Sequence, residues 1–286
     1  MIKLNGTEIV IDKFPDGTLH FADSCGMDKH SGWTCADIEW YFESNEEMVS
    51  LMFIVKHLRA HDVQIARLTM PYIPNARQDR VKSSADVFTL KWFADFINYL
   101  GFNEVRVLDP HSSVSEALFN NLRVQNPSHY IMKAITKIGC IKEDTNKNLI
   151  AFYPDEGAMK RYSGLIPLEY AFGIKRRDWK TGKIEGLDVA GSVDAIKNSS
   201  IIIIDDISSR GGTFYFSAKK LKELGASHIY LYITHCEKTI FEGEVFKSGL
   251  IDKVYTTNSI FNAKTQEYGV SLGLKDKFEV FEYEKY

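Results

Sequence analysis

The amino-acid sequence predicts an α/β protein built from two doubly wound parallel-sheet domains. Short apolar runs alternate with segments of helical periodicity along most of the 286 residues, which is the pattern of successive strand and helix units. Residues 201–204 are four isoleucines in a row, as expected for a parallel strand that helices cover on both faces. The order of elements in the first half returns in the second half, so we expect the two domains to be related by pseudo-duplication.

The domain junction is predicted within residues 123–148, where the composition turns polar. We place the first domain at residues 1–140 and the second at residues 141–270. The tail, residues 271–286, contains an apolar run at 278–283 that predicts a last strand. We expect this tail to return to the first domain.

In the first domain, residues 1–22 predict a hairpin whose turn lies at Pro15, Asp16 and Gly17. Apolar residues then recur at helical spacing behind a cap at Ser44 or Asn45. The further elements expected in this half are a strand at 63–70, a helix at 84–100 and a strand at 104–108.

In the second domain, apolar runs predict five strands with helices between them. They lie at 149–153, 168–174, 201–204, 228–234 and 253–256, and a helix is expected at 213–224. Residues 175–189 have little apolar periodicity and several glycines. We interpret this segment as a mobile lid; the alternative is a solvated surface loop.

The composition excludes several classes of protein. Hydrophobic residues make up 44% of the chain and the net charge is −3, which favours a soluble globular protein over a disordered or nucleic-acid-coating one. No apolar run has the length of a membrane-spanning helix, and the first ten residues lack the apolar core of a signal peptide. We therefore expect a cytoplasmic protein with no membrane or nucleic-acid partner.

The four cysteines are scattered and form no CxxC pair, so free thiols are expected. Cys25, His30 and Cys35 could be imagined as metal ligands. Their spacing fits no common zinc pattern, and we do not predict a zinc site.

The most informative stretch is residues 201–213, IIIIDDISSRGGT. Asp205 and Asp206 follow the apolar run, at the strand end where open α/β sheets bind ligands. Gly211 and Gly212 permit a tight loop whose N–H groups face an anion, and a helix beginning near Thr213 adds its positive end. The combination suggests a sugar phosphate, with carboxylates for its hydroxyls and amides for its phosphate. The alternative is a strand-to-helix turn that carries acids by chance.

This loop resembles the ribose-phosphate loop of phosphoribosyltransferases and ribose-phosphate diphosphokinases. Residues 71–80, PYIPNARQDR, closely match the PYxxYARQDR signature of the diphosphokinases, which ordinary transferases lack. Further motifs occur in the diphosphokinase order: FPDG at 14–17, DPH at 109–111, PDEG at 154–157, KRR at 175–177 and TNSI at 257–260. The resemblance implies type I phosphoribosyltransferase-like domains. The chain also looks like the short, phage-type homologues that make ADP-ribose 1-pyrophosphate for NAD salvage.

The resemblance implies an ATP site in the first domain. Arg77, Gln78 and Asp79 lie on the signature loop that follows the strand at 63–70, where a guanidinium can clamp a phosphate and an amide can bind the nucleotide. His111 is implied as a ligand of magnesium or phosphate. The alternative for His111 is an ordinary histidine at a helix start.

Phe14 and Asp16 match residues that reach the adenine from a neighbouring subunit in the family. The resemblance therefore implies a homo-oligomer, a dimer or larger. The third member of that set, a glutamate, is replaced here by Thr18, and a plain surface turn is an equal alternative. The strand and helix that normally open family members have no counterpart before this motif, which leaves hexamer formation and allosteric regulation open.

For the second domain, the resemblance implies that the sugar acceptor is bound along two strand ends and the glycine loop. The implied acceptor-binding residues are Asp155, Asp205, Asp206, Ser208, Ser209, Arg210, Gly211, Gly212 and Thr213. Asp155 and His111 are the implied contacts for Mg²⁺, and Arg161 matches a family arginine. Lys175 and Arg177, with Asp205 and Asp206, are the implied catalytic residues.

The implied reaction moves the β,γ-diphosphate of ATP to the anomeric hydroxyl of a ribose 5-phosphoryl acceptor and releases AMP. The loop departs from the family pattern DDxxDTxGT, because Ser209 replaces the third acid and Arg210 replaces the threonine. The added positive charge favours ADP-ribose over ribose 5-phosphate as acceptor. Two further alternatives are a phosphoribosyltransferase, which has no use for the ARQDR loop, and an inactive regulatory homologue, which would lose Lys175 and Arg177.

Overall fold

A computed structural model describes residues 1–21, 32–141, 148–177 and 184–285. The chain forms two compact units, Met1–Asn126 and Pro127–Tyr286. Their boundary falls inside the polar stretch in which the junction was predicted. No helix of the described residues is long and apolar enough to cross a membrane.

The first unit contains a six-stranded sheet and a separate hairpin. Its elements are β1 (Ile2–Leu4), β2 (Thr7–Glu8), β3 (Asp12–Lys13), β4 (Leu19–His20), β5 (Cys35–Trp40), α1 (Glu46–Ala60), β6 (Gln64–Thr69), α2 (Thr89–Leu100), β7 (Glu104–Leu108), α3 (Val114–Leu118) and β8 (Leu122–Gln125). The strand order is β2-β1-β5-β6-β7-β8, with β5 to β8 parallel. Strands β3 and β4 pair around the predicted turn.

Helices α1 and α2 bury their apolar faces in the core of this unit. Leu51 and Leu58 of α1 and Phe93 of α2 are almost fully buried, and the ring of Phe93 lies 5.9 Å from that of Trp40. Asn45 occupies the predicted cap position of α1 without a side-chain hydrogen bond.

Helix α2 begins five residues later than predicted, at Thr89 instead of Ser84. The Asp86 carboxylate accepts hydrogen bonds from the N–H groups of Lys82 and Ser83, at 2.7 and 2.9 Å. A turn held by this side chain competes with helix formation, which explains the late start.

The second unit contains a seven-stranded sheet with helices between its strands. Its elements are α4 (Ser128–Gly139), β9 (Leu149–Tyr153), α5 (Glu156–Tyr162), β10 (Tyr170–Arg177), β11 (Ile184–Gly191), β12 (Ser200–Ser208), α6 (Gly212–Glu223), β13 (His228–Cys236), α7 (Glu244–Lys247), β14 (Lys253–Thr257), α8 (Ala263–Ser271) and β15 (Phe278–Phe281). The strand order is β11-β10-β9-β12-β13-β14-β15, and among these pairs β10 with β11 is antiparallel. The predicted α/β class with two mainly parallel sheets is confirmed.

Strand β12 is buried on both faces, as the isoleucine run predicted. Ile201 and Ile203 share a core cluster with Phe214 of α6. On the other face, the ring of Tyr153 in β9 stacks with that of Tyr162 in α5 at 6.4 Å. Helices α5 and α6 therefore cover the two faces of the sheet at the strand that carries the acid pair.

The predicted return of the tail to the first domain is wrong. Strand β15 pairs in parallel with β14 and completes the second sheet. Glu284 beyond it forms an ion pair with Lys133 of α4 and lies within hydrogen-bond distance of His129, and its N–H donates to the hydroxyl of Tyr130. The tail is thus held by hydrogen bonds and charge pairs that an apolar pattern does not reveal.

The predicted lid begins and ends in regular structure. Strands β10 and β11 form an antiparallel ribbon in which Lys175 is opposite Leu187 and Arg177 is opposite Ile184. Much of the segment predicted as mobile is therefore strand, because backbone pairing does not require apolar periodicity. Residues 178–183 lie outside the described residues.

Candidate functional site

The order of the second sheet creates a crevice at the carboxyl ends of β9 and β12. From β9 the chain adds β10 on one side and β12 on the other. In parallel α/β sheets such a reversal separates the connecting segments and opens a ligand crevice. Asp155 follows β9, and Asp205 and Asp206 lie in the last part of β12.

Asp206 is buried and forms an ion pair with Arg161 of α5. Its Oδ2 lies 2.9 Å from Nη1 of Arg161, and the exposed fractions of the two side chains are 5% and 29%. A buried carboxylate without such a partner would be costly. Arg161, which matches a family arginine in the sequence, therefore has a structural role: it compensates the buried charge of Asp206.

Asp205 is partly exposed. The backbone N–H of the next residue, Asp206, donates to Oδ1 of Asp205 at 3.0 Å. Burial first, and then the negative charge of Asp206, raise the pKa of Asp205 well above its usual range, and Asp155 contributes in the same direction. Carboxyl groups perturbed in this way in a crevice are typical of functional sites. The structure thus brings these three predicted acids into electrostatic contact.

Asp155 is also the N-cap of α5. Its side chain accepts a hydrogen bond from the N–H of Ala158 at 3.1 Å. The negative charge lies at the positive end of the helix, which stabilises both. The same geometry fixes the carboxylate at the rim of the crevice.

The glycine loop leads from β12 into α6 as predicted. Gly211 is the N-cap of α6 with φ +73°, a left-handed conformation that favours glycine. A glycine cap has no side chain to bind the first-turn N–H groups, so they are left for an anion. A Cβ added at Gly211 would overlap Val245, whereas one added at Gly212 would meet no described atom within 4 Å apart from its chain neighbours and the backbone of its own helix.

Two residues of this loop have acidic partners that follow β13. The Ser209 hydroxyl donates to Oε2 of Glu237. The guanidinium of Arg210 lies 3.1 Å from Oε2 of Glu242, and both side chains are largely exposed. Arg210 is therefore a solvent-exposed cation of the loop, with a charge partner that an incoming phosphate would have to replace.

Lys175 and Arg177 lie at the outer end of β10, next to β9 in the sheet. Their side chains are outside what the structure describes, so their proposed catalytic role stays a prediction.

In the first unit, the signature loop follows β6 and lies beside the loop that follows β7. The N–H of Leu108 donates to the carbonyl of Pro71 at 3.0 Å, which ties the two strand ends together. Gln78 accepts a hydrogen bond from the Thr89 hydroxyl at 2.6 Å, so its amide is oriented by the start of α2. Arg77 lies on the same loop.

Asp79 is buried with an exposed side-chain fraction of 5%, and its carboxylate binds Arg80 through two hydrogen bonds of 2.7 and 3.0 Å. This pairing, opposed by burial, lowers the pKa of Asp79 to about 2. The charge of His111 contributes in the same direction, which places the DPH motif close to the signature loop. Sequence reasoning did not include Arg80 among the site residues, although the motif contained it.

The DPH motif contains an unusual backbone. Asp109 has φ +43° and is buried, and a non-glycine residue in this region is strained. Its N–H donates to the carbonyl of Gln125 at 3.0 Å. The bend turns the chain so that partly exposed His111 follows the end of β7.

Phe14 and Asp16 lie on the β3-β4 hairpin, as predicted. The Asp16 carboxylate accepts hydrogen bonds from the N–H and hydroxyl of Thr18, at 3.0 and 2.7 Å, and these bonds lower its pKa. Phe14 is 47% exposed and its ring lies 4.4 Å from that of His20. Thr18, which replaces the family glutamate, therefore stabilises the turn.

The TNSI motif at 257–260 begins at the end of β14 and forms a buried polar network. The Ser259 hydroxyl lies 2.8 Å from Nδ1 of His235, and both Thr257 and Ser259 donate to the carbonyl of Thr234. This network joins the carboxyl ends of β13 and β14. It rigidifies the sheet edge from which Glu237 emerges.

Among the described residues, no group of three or more His, Cys, Asp or Glu side chains is placed to hold a metal ion. Magnesium bound with ATP takes most of its oxygen ligands from phosphates and water and needs one or two carboxylates. Asp155 fits that mode as a fixed carboxylate at a crevice rim. Cys25 and His30 lie outside the described residues, and Cys35 is an exposed free thiol.

Glu237 and Glu242 were missed at the level of sequence. Glu237 directly follows a parallel strand, β13, and the rule that singled out Asp155 could have found it. Glu242 lies beyond a short helical turn, so spacing alone does not connect it to Arg210.

Comparison with known proteins finds relatives of this chain that are named ribose-phosphate pyrophosphokinase. The chain is 28% identical to the ribose-phosphate pyrophosphokinase of Mycoplasma pneumoniae over 245 residues, covering 81% of this chain and 68% of the relative. It is 27% identical to the enzyme of the same name from Thermococcus kodakarensis over 258 residues, covering 88% and 86%. No protein-family model matches the chain.

The fold also has a close counterpart among solved structures. The phosphoribosylpyrophosphate synthetase from Mycobacterium smegmatis matches with a TM-score of 0.71 at 17% identity, over 96% of this chain and 85% of that one. The two units therefore have the fold of a two-domain, phosphoribosyltransferase-like enzyme. The sequence relatives, which are named ribose-phosphate pyrophosphokinase, and this shared fold confirm the resemblance drawn from the sequence.

The pairing of Asp79 with Arg80 predicts an acid-dependent contribution to stability. The pKa of Asp79 is about 2 in the folded chain and about 3.9 when unfolded, so the contribution is present above about pH 4 and is lost as the pH falls through 2. Asp79→Asn should lower the free energy of unfolding by about 1–2 kcal/mol at pH 7, a value reduced for the exposure of Arg80.

Urea unfolding at pH 7 and at pH 2.5 measures this difference, with the exposed Asp95→Asn as control. The deficit of Asp79→Asn should shrink at the lower pH. A deficit that is equal at both pH values would show that the Asp79 charge contributes nothing to the fold.

Proposed function

We propose that this protein transfers the β,γ-diphosphate of ATP to the anomeric hydroxyl of a ribose 5-phosphoryl acceptor and releases AMP. One observation carries the proposal: the acid pair at the end of β12 leads directly into a glycine-capped helix. That arrangement offers carboxylates to sugar hydroxyls and N–H groups to a phosphate. The activity of the named relatives supports the same reaction.

In this proposal the second unit binds the acceptor. Asp205 and Asp206 accept hydrogen bonds from ribose hydroxyls, while the N–H groups around Gly212 and Thr213 bind the 5-phosphate. Arg161 keeps Asp206 charged and oriented through the 2.9 Å ion pair. Asp155 offers a third carboxylate at the rim of the crevice.

The signature loop of the first unit binds ATP in this proposal. Arg77 and His111 are assigned to phosphates and Gln78 to the nucleotide, with Gln78 held by Thr89. The Asp79 carboxylate is paired with Arg80, and this pair stabilises the loop. Phe14 and Asp16 are assigned to the adenine of a neighbouring subunit, which implies a homo-oligomer.

The transfer forms a bond between the anomeric oxygen and the β-phosphorus of ATP. The bond from that phosphorus to the oxygen it shares with the α-phosphorus breaks, AMP leaves with the electron pair, and the anomeric hydroxyl loses its proton. Negative charge develops on phosphoryl oxygens, and cationic side chains stabilise it. Lys175 and Arg177 at the end of β10 are assigned this role.

Magnesium is the implied cofactor, and Asp155 in the second unit is its proposed protein contact. When bound it would neutralise charge on the phosphates of ATP.

For the acceptor itself, we propose ADP-ribose in preference to ribose 5-phosphate. ADP-ribose offers the same ribose with a free anomeric hydroxyl, and its second phosphate continues outward. Exposed Arg210 and the open space at Gly212 support an acceptor of this kind. The product would be ADP-ribose 1-pyrophosphate, an intermediate suited to NAD salvage.

We expect AMP to form when the protein is incubated with Mg²⁺, ATP and either acceptor, and to depend on all three. Both the ATP loop and the acid pair belong to one chain, so no second protein is needed. Chromatographic separation of AMP from ADP checks the result.

Lys175→Ala tests the proposed catalytic role of this lysine in the same assay. Turnover should fall roughly a hundredfold while ATP binding is retained, because the lysine acts on charge that develops in the transition state. Accumulation of ADP in place of AMP would refute diphosphate transfer.

Arg210→Thr tests the choice of acceptor. If the guanidinium binds the second phosphate of ADP-ribose, the substitution should weaken use of that acceptor by about 1.5–3 kcal/mol, as for a hydrogen bond to a charged group. Use of ribose 5-phosphate should change much less. Specificity constants for both acceptors measure the difference; equal losses would favour ribose 5-phosphate as the natural acceptor.

A further inference from the structure

The segment that follows β13, residues 237–245, packs along the glycine loop. The N–H of Glu237 donates to the carbonyl of Ser208 at 2.8 Å. A Cβ added at Gly243 would overlap the carbonyl of Arg210, and Val245 fills the space beneath Gly211. The position of Glu237 relative to the loop is therefore set by the backbone as well as by its side chain.

The Glu237 carboxylate holds the hydroxyl proton of Ser209. Ser209 donates to Oε2 of Glu237, and the Thr239 hydroxyl donates to the same oxygen at 3.2 Å. A serine hydroxyl has one proton and two lone pairs. Because the proton is committed to Glu237, the Ser209 oxygen is left as a hydrogen-bond acceptor, and Ser209 is partly exposed at the loop that follows the acid pair.

We propose that Ser209 and Glu237 act as one unit that accepts a hydrogen bond from a hydroxyl of the acceptor sugar, with Glu237 as the positioning residue. The inference rests on the proposed function and adds a residue from a neighbouring strand to the acceptor site. It also explains why a serine stands where the family pattern has its third acid. The negative charge of that acid is supplied here by Glu237, which directly follows β13.

The hydrogen bonds of the Ser209–Glu237 unit run in one direction, from the sugar hydroxyl to Ser209 and from Ser209 to Glu237. A hydroxyl that donates to a carboxylate is a stronger acceptor than a free hydroxyl, because hydrogen bonds in a chain polarise one another. In Glu237→Gln the side chain keeps nearly the same shape but can donate to Ser209. The serine proton is then free to point towards the sugar, so the substitution inverts the hydrogen bond that the acceptor meets.

We expect Glu237→Gln to weaken ribose 5-phosphate binding and to lower kcat/KM for the acceptor about tenfold or more, the loss expected for a hydrogen bond that involves a charged group. The KM for ATP should not change. Glu244→Gln is the matched control, because it removes the same charge from an exposed residue of the same segment, and it should behave as the wild type.

A reciprocal rescue separates this role from a purely structural one. Ser209→Asp alone places two carboxylates side by side and should also weaken the acceptor. Combined with Glu237→Gln, the new carboxylate has an amide donor beside it, and acceptor binding should recover to within a few-fold of wild type. Melting temperatures of all variants show whether the fold is intact.

Isothermal titration calorimetry with ribose 5-phosphate and Mg²⁺ measures the affinity for the acceptor directly, so this test does not depend on turnover. Wild-type affinity in Glu237→Gln, or additive losses in the double variant, would overturn the Ser209–Glu237 unit while leaving the proposed function standing. Binding without AMP formation by the wild type would overturn the reaction but leave the unit testable by affinity. If neither ribose 5-phosphate nor ADP-ribose binds the wild type, both proposals are wrong.

Discussion

The ion pair between Arg161 and Asp206 is the interaction on which the second unit depends. It joins helix α5 to strand β12 at 2.9 Å beside Asp205, whose pKa is already raised by burial and by the charge of Asp206. Without a cation, three carboxylates around one strand end would repel one another. The arginine lets the fold keep an acid cluster at this place, and the glycine-capped helix next to it begins with N–H groups that can face an anion.

A similar balance of charges recurs at the other strand ends. Asp79 is buried against Arg80 in the first unit, and Arg210 lies against Glu242 in the second. These two predicted ligand-binding residues, Asp79 and Arg210, are therefore oriented by opposite charges in the free protein. Ligands that bind there must offer more than the existing partner does, which is a basis for specificity as well as affinity.

The sequence predicted strands better than it predicted loops. Strands β7 and β9 have the bounds that were predicted, because β9 is a continuous apolar run and β7 places apolar residues at alternate positions, both typical of strands. Helix α4 was not predicted, although its buried residues Tyr130, Ile131, Ala134 and Ile138 recur at helical spacing within the stretch taken as polar. The acid pair and glycine loop were found from local order, whereas the partners Glu237 and Glu242 are brought to that loop by the pairing of β12 with β13.

The central claim, that the Arg161–Asp206 pair stabilises the second unit, is tested most directly by a double-mutant cycle on the free energy of unfolding. Arg161→Leu should cost about 3 kcal/mol because it removes the ion-pair partner of a buried carboxylate. Asp206→Asn in that background should recover part of the loss, with a coupling energy above about 1.5 kcal/mol. Additive losses would contradict the claim, because they would show that the two side chains stabilise the fold independently.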